Sequence, residues 1–406
     1  MRFTLLVQKL PAVLAAFLVF IAPVSADESS LTVQGIAQRI QSGELDESPL
    51  FLPTAERRVV FANPEYFMPV RKITPAESPY PLPATPTDLG SVAYEVDGQA
   101  FTLQEFLTQQ PLMGFLVLRD GARLLEHYAS DHSVNSRWIS FSVTKSVTSL
   151  LIGAALADGF ITSLDDSVTD YLPRLRGSAY DVVTVKHLLQ MASGVAWNED
   201  YFDPESDVAL AGILGGVALT DYLLQLPRVH PPGTHFNYNT GEANLTGELL
   251  RAAIGNNASG YLNQKIWGPF GMEFDAVWPA DGPSGGEAGG CCISAALRDY
   301  ARLGQFVLDD GVLPDGSRVL PEGWVAASAA PSKGTDEYGY MWWRYPGERF
   351  SASGIFGQKI FIDTQTRAVI AVHSNADAAG GSVYAAHLEA VMLAVTDTLR
   401  IGRAHV

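Results

Sequence analysis

Ser142-Val143-Thr144-Lys145 is the place in this sequence where residue types and spacing most directly suggest chemistry. Residues three apart share one face of a helix, so the serine hydroxyl and the lysine amine can meet. Serine is a weak nucleophile at neutral pH and needs a base. A lysine serves as that base only if its pKa falls, which desolvation and the positive end of a helix dipole both favour. Lys145 is followed by the apolar run 150–156, so it would sit in the first turn of a very hydrophobic helix. Cations prefer the opposite end of a helix, and the placement is costly for a lysine that merely solvates. The implied chemistry is acyl transfer through a serine ester. The tetrapeptide alone arises by chance, so its weight comes from the helix it opens.

Two further segments could complete such a site. In 231–241 a Pro-Gly turn leads through Tyr238 into the next helix, and a phenol beside a lysine can relay a proton to a leaving group. A tyrosine that only packs its ring is the commoner case. In 351–358 Gly354 opens a strand and allows close backbone approach, and the N–H of Ile355 could join that of Ser142 as an oxyanion hole. A bulge or tight bend is the plain alternative. The aromatic cluster 338–343 belongs to a core or walls an acyl pocket, with Tyr340 as the residue placed at the substrate. Gly282 to Gly286 matches Gly-x-Ser-x-Gly, but Pro283 and the glycines after it forbid the helix that a nucleophile elbow requires. The eight histidines include no His-x-x-x-His pair, so no metal is expected, and no cofactor motif is present.

These residues need elements to hold them. The segments 115–118 and 124–128 flank Asp120-Gly121, a turn for a β-hairpin. A helix is expected over 142–158, closed by Gly159, with others over 184–191, 242–254, 297–308 and 382–399. A second hairpin joins 356–362 to 368–373. Strands at both ends with helices between predict an α/β (α+β) architecture, an antiparallel sheet flanked by helices with a mostly helical insertion over roughly 160–300. Residues 27–95, rich in proline and without clear periodicity, suggest an extended arm ahead of a main domain over 96–406. The apolar stretch 208–219, interrupted by Gly215 and Gly216, is too short to span a membrane and fits a buried or pocket-lining segment.

Composition narrows the function classes. With 47% hydrophobic and 17% charged residues in 406, the chain can bury a large core. A net charge of −17 opposes binding to phosphate backbones, which excludes nucleic acid as the expected partner. Arg2 and Lys9, the apolar run 10–22 and the small residues Val24-Ser25-Ala26 read as a secretory signal peptide, residues 1–26, cut after Ala26. The mature protein is then secreted or periplasmic, with no stable membrane anchor, as a monomer or homodimer. Cys291 and Cys292 are adjacent, and two buried reduced thiols are expected rather than a distorted pair.

Taken in order and spacing, 140–146, 184–194, 267–272, 298–304, 338–343 and 354–363 resemble the serine β-lactamase-like family, over roughly residues 100–400. That family includes class C β-lactamases, D-alanyl-D-alanine peptidases, carboxylesterases and 6-aminohexanoate-dimer hydrolases, and 354–363 looks closest to the last branch. The resemblance implies a β-lactamase-like fold, with Ser142 as nucleophile, Lys145 as its paired base, and Tyr238 as the motif tyrosine. It puts the oxyanion hole at the N–H groups of Ser142 and Ile355, and Asn239 and Gly354 at the substrate. Ala352-Ser353-Gly354 stands where β-lactamases carry Lys-Thr-Gly, and Tyr238-Asn239-Thr240 where class C enzymes carry Tyr-Ala-Asn. The first change removes a cation that would grip a carboxylate. The expected function is therefore an exported serine hydrolase of small esters or amides. A β-lactamase or peptidase and a non-catalytic binder of cell-wall peptides are the alternatives. Whether Lys145 or Tyr238 is the formal base stays open, because the pair titrates together.

Overall fold

The computed structural model describes residues 31–403 apart from 47, 49, 282–284, 381 and 382. The expected signal peptide, and Gly282 to Ser284 of the Gly-x-Ser-x-Gly match, lie outside the described residues. The twelve strands are β1 (Val70–Ile73), β2 (Ala93–Val96), β3 (Gln99–Thr102), β4 (Leu112–Arg119), β5 (Ala122–Tyr128), β6 (Arg137–Ile139), β7 (Ala276–Pro279), β8 (Ser294–Ala296), β9 (Trp343–Tyr345), β10 (Arg349–Ser353), β11 (Lys359–Asp363) and β12 (Ala368–Ser374).

The main sheet has six antiparallel strands in the order β5-β4-β12-β11-β10-β9. Asp120 and Gly121 turn β4 into β5 with φ of 49° and 78°, the left-handed pair that a two-residue hairpin asks for. Both faces of this sheet are buried, and alternation along the strands divides two cores. Leu116, Leu118, Ile360, Ile362, Val369 and Ala371 pack toward the helices Val143–Ala157 and Leu297–Leu308. Phe115, Val117, Phe361, Ile370 and Val372 pack on the other face, with Val391, Met392 and Val395 of the closing helix Val383–Arg403.

The helix Val143–Ala157 is buried continuously from Val143 to Ala155. It runs through the first core, and Gly153 is needed there because a Cβ would stand 2.6 Å from the Trp324 ring. The seam between the cores falls at its start: Phe141 belongs to one core and Val143 to the other.

Two expectations about organisation are corrected. The arm over 27–95 is not simply extended. It carries the helices Val33–Gln41 and Thr54–Ala62 and donates β1 to a second sheet, β1-β7-β8-β6. Short helices separated by turns leave little periodicity to read. Its proline-rich part does run along the surface, with Thr85 and Thr87 N–H groups donating to the Arg123 and Leu124 carbonyls. The helices of the segment 160–300 are interrupted after Phe270, where β7 and β8 complete that second sheet before the helix Leu297–Leu308 begins.

Candidate active site

The turn that carries Ser142 is built by local strain and close packing. Phe141 has φ of 47°, unfavourable for a residue with a bulky side chain, and its ring is held by Phe61 at 4.9 Å and Phe356 at 5.1 Å. Ser142 is the N-cap residue, yet its side chain caps nothing, so the hydroxyl is left for other partners. Lys145 Nζ reaches Ser142 Oγ at 2.8 Å and the Gly290 carbonyl at 3.0 Å. Lys145 is 1% exposed, and among the described residues no carboxylate pairs with it. Burial lowers its pKa to about 8, against an opposing pull from the Glu199 carboxylate.

Tyr238 completes the group. Its ring lies beneath Lys145 Nζ, 5.2 Å from the centroid, and its hydroxyl meets that of Ser142. Trp343 stacks on the ring at 5.3 Å and Tyr338 meets it edge-on at 5.8 Å. Burial and then the Glu199 charge push the phenol well above its ordinary range, so it stays protonated at neutral pH. Glu199 itself accepts from the Thr240 N–H at 2.9 Å, the Tyr201 hydroxyl at 2.6 Å, the Thr240 hydroxyl and Trp197 Nε1. It therefore sits at the N-terminus of the helix Thr240–Ile254, where a negative charge is favoured.

Ser142 and Ile355 line the same cleft. Among the described residues no acceptor takes up the N–H of either one, as an oxyanion hole requires. Gly354 sets the distance between them. A Cβ there would lie 2.5 Å from the Ser140 carbonyl oxygen and 2.5 Å from Gln358 Oε1. The close approach that glycine permits is thus to the turn before Ser142, not to substrate, which corrects the expectation for Gly354.

Asn239 and Tyr340 are corrected as well. Asn239 is 1% exposed, and its side chain accepts the Glu242 N–H at 2.8 Å, capping the helix Thr240–Ile254. A side chain spent on a cap is withdrawn from substrate. Tyr340 packs against Trp324 in the first core and does not reach the cleft. From that aromatic cluster, Tyr338 and Trp343 are the ones that hold Tyr238. Cys291 and Cys292 are paired as a disulfide, contrary to the expected thiols. The peptide between them is cis.

The cation missing at Ala352 is not restored from next door. Lys359 is paired across the strands with Ser353 and donates to its hydroxyl at 2.6 Å. That pair lies on the opposite face of the sheet from Ala352, which packs in the first core with the helix Val143–Ala157.

The Beta-lactamase family model matches residues 102–392. The chain belongs to the beta-lactamase family. Within it, the chain is 31% identical over 315 residues to a 6-aminohexanoate-dimer hydrolase of Paenarthrobacter ureafaciens, covering 71% of this chain and 79% of that one. A candidate 6-aminohexanoate-dimer hydrolase from Bacillus anthracis superposes with a TM-score of 0.77 at 21% identity, over 86% of this chain and 95% of the other. A family VIII carboxylesterase superposes with a TM-score of 0.56 at 17% identity, over 72% and 96%. As a beta-lactamase-family member with these relatives, the protein is a serine hydrolase.

Sequence reasoning named Ser142, Lys145, Tyr238 and Ile355; Ser142, Lys145 and Ile355 line one cleft, and the Tyr238 ring lies against Lys145 behind it. It missed the Gly290 carbonyl and Glu199. A backbone acceptor leaves no trace in residue type. Glu199 lies just inside a run of polar and aromatic residues, 197–203, that marks a loop but not which carboxylate turns inward.

Proposed function

We propose that this protein hydrolyses small esters or amides through an acyl-enzyme on Ser142. Ser142 Oγ attacks the substrate carbonyl carbon, and its proton passes to Lys145 in the neutral form. The oxyanion is received by the N–H groups of Ser142 and Ile355. The bond to the leaving group then breaks, and Tyr238, held as a neutral phenol, supplies the proton an amine or alkoxide needs. It recovers that proton from Lys145. Water attacks the Ser142 ester, the acid departs, and the serine hydroxyl is restored. Lys145 rather than Tyr238 is the base because its pKa lies near the working pH and the phenol's does not.

The observation that carries this is the buried lysine 2.8 Å from Ser142 Oγ, with no carboxylate in ion-pair contact with it among the described residues. Hydrolysis of p-nitrophenyl butyrate by the wild-type protein and by Ser142→Ala tests it. Turnover should fall at least about 10³-fold in a variant with an unchanged circular dichroism spectrum. An undiminished rate would exclude the mechanism.

Export is part of the same proposal. It rests on the basic start, the apolar run 10–22 and the small residues before Asp27. Mass spectrometry of protein recovered from the periplasm or medium should find Asp27 as the first residue.

A further inference from the structure

Beyond Ser142 the cleft continues as a cavity of about 290 Å³ whose exposed lining is mostly apolar. One side comes from two short helices, Asp207–Leu214 and Gly216–Leu223, which present Val208, Ala211, Leu219 and Leu223. The other side includes Leu50 and Met68, from the segment that precedes the residues matched by the family model. This second wall is fixed rather than hinged. Between Leu50 and Met68 runs the helix Thr54–Ala62, and its Phe61 packs on Phe141 beside the nucleophile. Arg57 of the same helix donates to the Ala376 carbonyl at 2.9 Å. Directly after Met68, Val70 opens β1 and pairs with Pro279 of β7.

Charged groups around this cavity are already engaged. Glu287, 2% exposed, accepts from the N–H groups of Ala258 at 3.2 Å and Ser259 at 3.0 Å and from the Ser259 hydroxyl at 2.6 Å. Glu248 is paired with Arg251, and Asp281 accepts the Gly286 N–H at 2.7 Å. Lys145 is the one cation among the described lining residues, and it stands at the reacting end. A charged group at the far end of a substrate would lose its hydration there without gaining a free counter-charge.

We infer that the N-terminal segment 50–68 and the helices over 207–223 together form a sleeve for an uncharged, unbranched aliphatic acyl group, with Leu50 and Met68 as specificity-determining residues. This rests on the acyl-enzyme chemistry proposed for Ser142. The acyl chain leads away from the Ser142 ester between the two walls. Each methylene it carries leaves water for apolar surface, worth roughly a threefold gain in kcat/KM until the sleeve is filled.

The test compares p-nitrophenyl acetate, butyrate, hexanoate and 6-aminohexanoate on the full chain. The hexanoate-to-acetate ratio of kcat/KM should exceed about 10, and the 6-aminohexanoate ester should fall at least about 10-fold below hexanoate. Met68→Asp should bring the hexanoate-to-acetate ratio to near one. Tyr66→Asp, an exposed position in the same segment, should leave the ratio as in the wild type. If Met68→Asp does not fold, Leu50→Asp carries the same comparison. A flat series in a protein whose acetate hydrolysis depends on Ser142 would overturn the sleeve and leave the hydrolase standing. If no ester is turned over, the esterase reading fails, and binding decides the sleeve by itself. Saturation-transfer NMR with hexanamide and Ser142→Ala should then show contacts along the methylenes that Met68→Asp abolishes. Absence of any transfer would overturn the sleeve.

Discussion

Two sides of one cleft are built on different physics. Around Ser142, each group is fixed by directional contacts. Lys145 is held by a hydroxyl and a carbonyl, Tyr238 by stacked rings, and Gly354 by backbone pressed against Ser140. Across the cleft, the wall over 207–223 consists of two short helices broken at Gly215, and it meets the cavity through apolar side chains. Reaction geometry tolerates displacements well under an ångström, whereas a hydrophobic wall needs only shape and the exclusion of water. The difference teaches where change is affordable: substitutions in the first region should remove turnover, and those in the second should redistribute it among substrates.

The sharpest way to break that contrast is Lys145→Met, which keeps the buried volume and removes the amine. Its kcat should drop by about 10²–10⁴, and the rise of kcat/KM through pH 8 that the depressed lysine pKa requires should vanish from the pH profile. A loss no larger than that of the sleeve variants would erase the distinction between the two sides. Gly354→Ala probes the same side without touching a reacting atom. The added methyl must displace the strand or the Ser140 carbonyl, so kcat should fall by roughly 10–100-fold. Overpacking should cost about 1–3 kcal/mol in denaturant unfolding.

Asn239→Ala should sharpen the boundary from the opposite direction. A lost helix cap costs about 1 kcal/mol, read as a lower melting temperature, while the preference between hexanoyl and acetyl esters should not move. A changed preference would return Asn239 to the substrate.

The smallest effect on turnover is expected at Glu242, buried behind the site and bonded by Ser193 and Tyr180. Burial raises its pKa from 4.5 to about 8. A carboxyl raised on folding contributes stability below its unfolded pKa and loses it as pH climbs through the folded value. Wild type and Glu242→Gln should therefore melt alike near pH 4, with the variant gaining steadily between pH 5 and 8.

Much of this was legible before any coordinates. The Asp120-Gly121 hairpin, the all-apolar helix after Ser142 and the helix Leu297–Leu308 follow from turn chemistry and periodicity, because local physics decides them. The contact between Ser142 and Lys145 was legible for a related reason: a serine and a lysine one helical turn apart carry their geometry with them. Asn239, Gly354 and Tyr340 were misplaced because motif position says which residues stand near a site, not which way each side chain points. The arm's contribution was invisible because Leu50 and Met68 reach the cleft only through long-range packing of Phe61 and pairing of β1.

The seam at the Ser142 turn has a practical meaning. Because Phe141 is gripped by one core and Val143 by the other, Ser142 is in register only while both hold. Enzymatic rate then acts as a logical conjunction of the two halves of the molecule. On heating, it should disappear with whichever half yields first, ahead of the bulk loss of helix signal, making a simple colour assay a gauge of the weaker core.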